Sequence, residues 1–167
     1  MPAPRSRFQQ DLPSRRAGHT TAVTIGGEHF HLTANADGDG ALGEVLIRSN
    51  KHGSTVAGLV EGYATALSLG LLYRIPLPGL LRHGLGLRFS PAGRTDDPDI
   101  PTVASVADYV ARRLALDWLP YAERAELGVY TLAERLHSAP AWSVAIRGTG
   151  PASCAAAQNS SYAAAQN

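Results

Sequence analysis

Hydrophobic and polar positions form three short runs near the start of the chain that predict strands. Residues 22–25 alternate weakly and 29–33 follow as a second run, whereas 44–48 place three apolar residues between Glu44 and Arg48. Gly26-Gly27 separates the first two runs and predicts a tight hairpin turn. A polar cluster at 35–40 separates the second run from the third and predicts another turn. The pattern therefore predicts a small antiparallel three-stranded sheet with one buried face.

A helical period follows the third strand. Apolar residues three and four positions apart predict one long helix that covers the sheet: Val56, Leu59, Val60, Tyr63, Leu67 and Leu71. A second stripe has a small residue at every fourth position: Ser54, Gly58, Gly62, Ala66 and Gly70. Interior glycines cost about 1 kcal/mol each relative to alanine. We therefore expect the stripe to be a packing groove against a sheet or a second helix.

Weaker signals predict further helices. Pro76 and Pro78 interrupt the long helix, and a short helix is expected over 77–83 before an irregular, turn-rich loop at 84–99. Another helix is expected from Asp99-Ile100-Pro101, with one apolar face, and a last one over about 121–136. The apolar face consists of Val103, Val106, Val110 and Leu114. The fold class is then α+β, a three-stranded sheet covered by a long Gly/Ala-striped helix and two or three further helices.

Composition divides the chain into a body and two ends. Residues 1–18 are rich in proline and arginine and predict a flexible arm, whereas 148–167 contain AAAQN twice and predict a disordered tail. Residues 19–147 form the expected single α+β domain. A chain of 167 residues and 17.6 kDa accommodates one such domain, and is too short for a (β/α)₈ barrel of about 250 residues.

Charge and cysteine content narrow the functional classes. The net charge of +1 does not by itself indicate nucleic-acid binding. The arm contains four arginines and one acid, so it suits nucleic acid or an acidic partner, although a solvated N-terminus is the simpler interpretation. A single cysteine, Cys154, and no signal peptide predict a cytoplasmic protein without a disulfide framework. The apolar run 56–73 contains Glu61 and three glycines and is expected to fall short of a membrane span.

The start of the long helix is a candidate anion site. Lys51, the single lysine, precedes Gly53, Ser54 and Thr55, and a helix N-terminus offers free N–H groups and a partial positive charge. The spacing is not that of a Walker A loop. An ordinary capped helix explains the same residues equally well.

Two other clusters combine ionisable side chains. His29 and His31 share one strand face, and Asp37 and Asp39 follow in the next turn. Exposed strand histidines are the simpler interpretation, so no metal site is predicted. The loop at 84–99 contains Arg88, Arg94, Asp96, Asp97 and Asp99, which suit a ligand or interface loop. We favour an ion-paired scaffold there, because opposite charges within one loop usually pair with each other. No catalytic triad or acid–base pair stands out.

Four segments resemble the C-terminal domain of cobalamin-dependent (class II) ribonucleotide reductases, also called the TSCPD domain. Their order and spacing match over about 11–128, and the K-x-G-S-T and P-D-I-P elements are fairly specific. The segments are L-P-S-R-R-A-G-H-T (12–20), the run from G-E-V-L-I-R to L-G-L-L-Y (43–73), R-F-S-P-A-G-R-T-D-D-P-D-I-P (88–101) and V-A-D-Y-V-A-R-R-L (106–114).

The resemblance implies a role in converting ribonucleotides to deoxyribonucleotides for DNA synthesis or repair. It places adenosylcobalamin, the thiyl-radical cysteine and the redox cysteine pair in an upstream catalytic barrel that this chain lacks. Residues 159–167 are similar to the family's cysteine-rich tail, with serine and alanine at the cysteine positions. On this basis we expect the isolated chain to be inactive and to bind no cofactor itself.

Three functional hypotheses follow. The first is a free-standing accessory or split subunit that docks on a reductase catalytic chain through the small-residue groove or the 84–99 loop. The alternative is a non-catalytic module that binds a nucleotide, another anion or a protein through the start of the long helix. Nucleic-acid binding by the arm ranks last, because no aromatic interleaving accompanies it. The sequence does not decide whether a homo-oligomer forms.

Overall fold

A computed structural model describes residues 12–51 and 53–138. Five strands and five helices are found in these residues, and α+β is confirmed as the fold class. In chain order they are β1 Gly18–Ile25, β2 Glu28–Ala36, β3 Leu42–Ser49, α1 Thr55–Leu72, α2 Leu77–Arg82, β4 Gly93–Arg94, β5 Thr102–Val103, α3 Val106–Trp118, α4 Tyr121–Glu126 and α5 Leu132–Ser138.

Strands β1, β2 and β3 form the predicted antiparallel sheet in the order β1-β2-β3. Thr21 faces Leu32 across the first pair, and Ala34 faces Val45 across the second. Each strand is longer than its apolar run, because polar side chains also pair across the sheet. The hydroxyl groups of Thr20 and Thr33, for example, lie 2.8 Å apart.

One face of the sheet is buried and the other is exposed. The buried face includes Ile25, Phe30 and Ile47, each no more than 1% exposed. Helix α1 packs beside β3, where the Val45 N–H donates to the Ser68 hydroxyl at 2.9 Å and that hydroxyl donates to the Val45 carbonyl at 3.0 Å. Helix α1 therefore satisfies part of the β3 edge, which would otherwise present open backbone groups.

Helix α1 begins where the sequence predicts. Ser54 is its N-cap, and the Ser54 hydroxyl accepts the Ala57 N–H at 3.1 Å. The buried face is rotated from the predicted one, however. Leu59 is 65% exposed, and Ala64 lies in the core in place of it. The residues buried on the helix are Val60, Ala64, Leu67, Gly70 and Leu71.

The small-residue stripe of α1 faces solvent over most of its length. Gly58, Gly62 and Ala66 are exposed, and a Cβ built on either of those glycines meets no atom within 4 Å. Of Gly58, Gly62, Ala66 and Gly70, only Gly70 is buried, and a Cβ on it would lie 2.7 Å from a methyl group of Leu80. The stripe thus receives helix α2 at one end, and a role for the remainder in docking stays a prediction.

Helix α1 is long and apolar enough to cross a membrane, so the expectation that residues 56–73 do not meet this criterion is wrong. It is the one such helix in the part of the chain that the structure describes. Core helices of soluble proteins pass the same test, and α1 packs against β3. One helix of this kind does not indicate a membrane protein.

The later helices differ from the prediction. Thr102 and Val103 pair with β4, so α3 begins only at Val106, after the N-cap Ser105, and not near Asp99. The single helix predicted over 121–136 is two helices, α4 and α5. Gly128, with a φ of 70°, lies in the interruption between them, where a left-handed backbone ends a helix.

Two compact units divide the chain, one ending at Leu132 and one beginning at Ala133. Of the second unit, the structure describes 133–138, where His137 Nδ1 lies 2.7 Å from the Ala133 carbonyl oxygen. Strand β1 starts at Gly18, the last residue assigned to the arm. Most of that arm and the whole predicted tail with Cys154 lie outside the described residues, so the domain division stays a prediction.

We predict that Gly58→Ala and Gly62→Ala each stabilise the protein by about 0.5–1 kcal/mol, because alanine restricts the unfolded chain and meets open space in α1. Urea unfolding of the full chain measures this. Gly70→Ala is the matched control, for which no gain is expected because the added methyl group meets Leu80. Destabilisation by Gly62→Ala would contradict the open space at this position.

Candidate functional site

The predicted anion site lies at the N-terminus of α1. Gly53, at a φ of 77°, and Ser54 border an open cleft between α1 and the end of β3. The Lys51 ammonium lies 2.7 Å from a carboxylate oxygen of Glu28, and the Ser54 hydroxyl already caps the helix. Thr55 is exposed. The two strongest candidate ligands are thus engaged within the protein, and anion binding stays a prediction.

The charged loop at 84–99 is held by helix α3. Asp97 and Asp99 lie 3.4 and 3.6 Å from the Arg113 guanidinium, and the Tyr109 hydroxyl donates to Asp97 at 2.9 Å. The acids of the loop are therefore ion-paired, but with Arg113 on α3, and the expected pairing with the loop's own arginines is wrong. Arg88 and Arg94 are exposed and form no ion pair with any described residue.

Asp96 and Arg94 attach the same loop to the sheet. The Thr24 N–H donates to Asp96 at 2.8 Å, and this bond holds the pKa of the Asp96 carboxyl below its ordinary value. The Gly26 N–H donates to the carbonyl oxygen of Arg94 at 3.1 Å. These contacts place Arg94 and Asp96, two of the predicted interface residues, beside the end of β1.

Arg113 is the centre of the ion-pair network. Its Nε donates to the two carboxylate oxygens of Asp117 at 3.1 and 3.0 Å. Burial lowers the pKa of Arg113, but the carboxylates of Asp117 and Asp97 outweigh burial and raise it. Burial raises the pKa of the Tyr109 hydroxyl, and the Asp97 charge adds to this effect. These shifts keep each group in its ordinary charge state at neutral pH, which suits a scaffold and not a proton donor.

Asp108 is the buried carboxylate that the sequence analysis missed. It is 1% exposed and accepts the Gly86 N–H at 2.8 Å, the Ala104 N–H at 3.0 Å and Arg112 Nε at 2.9 Å. The signal was present in the sequence: Ser105 and Asp108 have the spacing of a helix N-cap and its third residue. Asp108 thereby ties Gly86 and Ala104, which lie near the two ends of the segment between α2 and α3, to the start of α3.

The histidine pair does not meet the aspartates that follow it. His29 Nδ1 lies 3.0 Å from the Thr24 hydroxyl oxygen, whereas Asp37 closes the turn at the opposite end of β2 by accepting two backbone N–H groups. His31 is exposed on the same sheet face as His29. Among the described residues, no group of three or more His, Cys, Asp or Glu is arranged to hold a metal ion.

Two buried polar atoms have no hydrogen-bond partner in the part of the chain that the structure describes. They are the Tyr63 hydroxyl and Trp118 Nε1. Burial, with a smaller contribution from Asp108, raises the pKa of Tyr63 to about 12. A Cβ on Gly84 would lie 2.3 Å from the Tyr63 hydroxyl, so the glycine makes room for the ring.

The fold and these contacts define a class: a small α+β module whose charged residues mainly secure its own loops. A family model described as the TSCPD domain matches residues 4–117. The chain therefore belongs to the TSCPD domain family, as the sequence resemblance indicated.

Relatives of the chain are named vitamin B12-dependent ribonucleotide reductases. Those of Streptantibioticus cattleyicolor and Streptomyces avermitilis are 45% identical over 124 residues, which is 74% of this chain but 21% and 13% of the relatives. That of Agrobacterium fabrum is 37% identical over 115 residues, 68% of this chain and 9% of the relative. The chain thus spans a small fraction of their length. No solved structure matches it.

We predict that Asp108→Ala destabilises the protein by about 3 kcal/mol, because two N–H groups and one guanidinium lose their shared acceptor. Chemical denaturation of the full chain measures the loss. Asp39→Ala removes a carboxylate from an exposed turn and is the control, expected within about 0.5 kcal/mol of the parent. Equal effects of the two substitutions would contradict this role for Asp108.

Proposed function

We propose that the chain is a non-catalytic module of a vitamin B12-dependent ribonucleotide reductase and binds the catalytic chain of that enzyme. The identity to reductases over a small part of their length supports this proposal. Under this proposal the module lies in the cytoplasm beside an enzyme that supplies deoxyribonucleotides.

The non-catalytic role is supported by one observation: several charged side chains bind other parts of the same domain. Asp97, Asp99 and Asp117 surround Arg113, and Asp108 binds backbone N–H groups, so these carboxylates hold loops in place. Radical reduction of a ribonucleotide also requires thiols, and the 167 residues contain one cysteine. Such a composition supports a binding or structural role.

His29 and His31 do not suit adenosylcobalamin. His29 is hydrogen-bonded to Thr24, and the two histidines border an open cleft of about 380 Å³ on the exposed sheet face, which is too small for this cofactor. We therefore assign this cofactor to the catalytic chain. The cofactor supplies the radical there, and this module would contribute contacts to the enzyme.

The proposal predicts a complex between the full chain and the vitamin B12-dependent reductase of the same organism. Size-exclusion chromatography and calorimetry should show binding, and the chromatography also reports any self-association. The chain alone, with adenosylcobalamin, dithiol and a ribonucleotide, should form no deoxyribonucleotide, while the reductase serves as the positive control. Turnover by the chain alone would overturn the non-catalytic assignment, and the absence of a complex would overturn the docking role.

Nucleotide or anion binding is the second candidate, because the N-terminus of α1 opens onto the cleft beside Gly53 and Ser54. If the cleft binds phosphate groups, millimolar ribonucleotides or deoxyribonucleotides raise the melting temperature, and Lys51→Ala reduces the shift. Glu28→Gln is the matched control, because it frees Lys51 from its ion pair and should strengthen binding. No shift with the parent chain would remove this candidate, and a shift unchanged by Lys51→Ala would move the site elsewhere.

A further inference from the structure

One stretch of the chain contains arginines but no acids. From Gly62 to Thr95 the sequence has no aspartate or glutamate. Its four arginines are exposed and form no ion pair with any residue in 12–51 or 53–138: Arg74, Arg82, Arg88 and Arg94. Elsewhere in the described chain, arginines are commonly paired, as Arg48 is with Glu61 and Arg113 with Asp117. The positive charge of this stretch is thus uncompensated.

The same stretch also exposes large apolar side chains. Ten are exposed among the described residues, and five of them fall within 69–89: Leu69, Tyr73, Ile75, Leu87 and Phe89. The end of α1 lies beside α2, because Gly70 of α1 lies against Leu80 of α2. We define the arginine surface by six residues: Tyr73, Arg74, Ile75, Arg82, Leu87 and Arg88. Exposed arginine and apolar side chains in one short stretch are typical of protein interfaces.

The backbone at Arg74 gives a further indication. Arg74 follows the C-cap of α1 and has a φ of 60°, the left-handed conformation in which glycine is usual. The Arg74 N–H donates to the Leu71 carbonyl at 2.8 Å, and the Ile75 N–H donates to the Gly70 carbonyl at 3.0 Å. Glycine would make the same bonds without strain. A strained arginine with an unpaired guanidinium fits a side chain that is used for binding.

We propose that the arginine surface binds an acidic, partly apolar segment of another protein. The identity of this partner, the reductase catalytic chain, rests on the proposed function. We choose an acidic segment because its negative charges complement the unpaired arginines. A second copy placed symmetrically on this surface would set arginines against arginines. Three of the five exposed apolar residues are aliphatic, so stacked bases would find aromatic partners only at Tyr73 and Phe89, whereas apolar peptide side chains can pack on all five.

The first experiment tests the chemistry of the partner. The ¹⁵N-labelled full chain is titrated with an amphipathic peptide of leucine and glutamate, and with the same peptide carrying lysine in place of glutamate. Only the acidic peptide should bind, with amide shifts confined to 69–89 and affinity that falls as salt rises. Binding of the lysine peptide to the same extent, shifts elsewhere, tighter binding of single-stranded DNA at these residues, or no binding at millimolar peptide would overturn the proposal.

The second experiment separates binding from structure. Arg74→Gly should raise the melting temperature by about 3 °C, because it relieves the left-handed strain. It should also weaken peptide binding about tenfold. A structural role alone would not move stability and binding in opposite directions. Arg48→Ala, an exposed arginine on the sheet, is the matched control and should leave binding unchanged. Unchanged binding by Arg74→Gly, Arg82→Ala and Arg88→Ala together would overturn the proposal.

The third experiment uses the reductase itself. If the parent chain binds it and the three arginine substitutions together weaken that complex, the surface is the docking site. A complex that the substitutions leave intact would overturn the surface but not the proposed function. Peptide binding without a reductase complex would overturn the proposed function, while the specificity for an acidic segment would stand.

Discussion

The buried carboxylate of Asp108 is the contact on which the rest of the domain depends. It receives N–H groups from Gly86 and Ala104, which lie on both sides of a long loop, and a guanidinium from the helix that bears it. A carboxylate this deeply buried is tolerated because all these donors converge on it. The loop between α2 and α3 is therefore tied at both ends to one point, and its acids are presented to Arg113.

That arrangement determines which charges remain for other molecules. Once Asp97, Asp99 and Asp117 are engaged with Arg113, the loop's own arginines, Arg88 and Arg94, stay exposed to solvent. These three carboxylates thus pair within the domain, and the arginines of the loop keep an uncompensated positive charge. The module matches only 9–21% of the length of its reductase relatives, and the proposed docking role uses this excess of positive charge.

Local signals predicted much of the fold. Short apolar runs between turn signals predicted the three strands, and the Ser54 cap predicted the start of α1, because each signal depends on a few neighbouring residues. The sequence misplaced the start of α3, since Pro101 and the apolar residues after it also suit a strand, and pairing with Gly93–Arg94 decides between the two. It missed the partner of Asp97 because Arg113 lies on another element, and chain proximity favoured Arg94.

By itself the sequence determined the α+β class, the family and the acid-free run from Gly62 to Thr95, because composition, period and motif order need no third dimension. Only the tertiary structure decided that Leu59, Gly58 and Gly62 face solvent, that Lys51 pairs with Glu28, and that Arg74 adopts a left-handed backbone. The physical reason is that a helix with apolar or small residues on most sides has no unique inner face. Packing against β3 and α2 selects one, and the other sides of the helix face solvent.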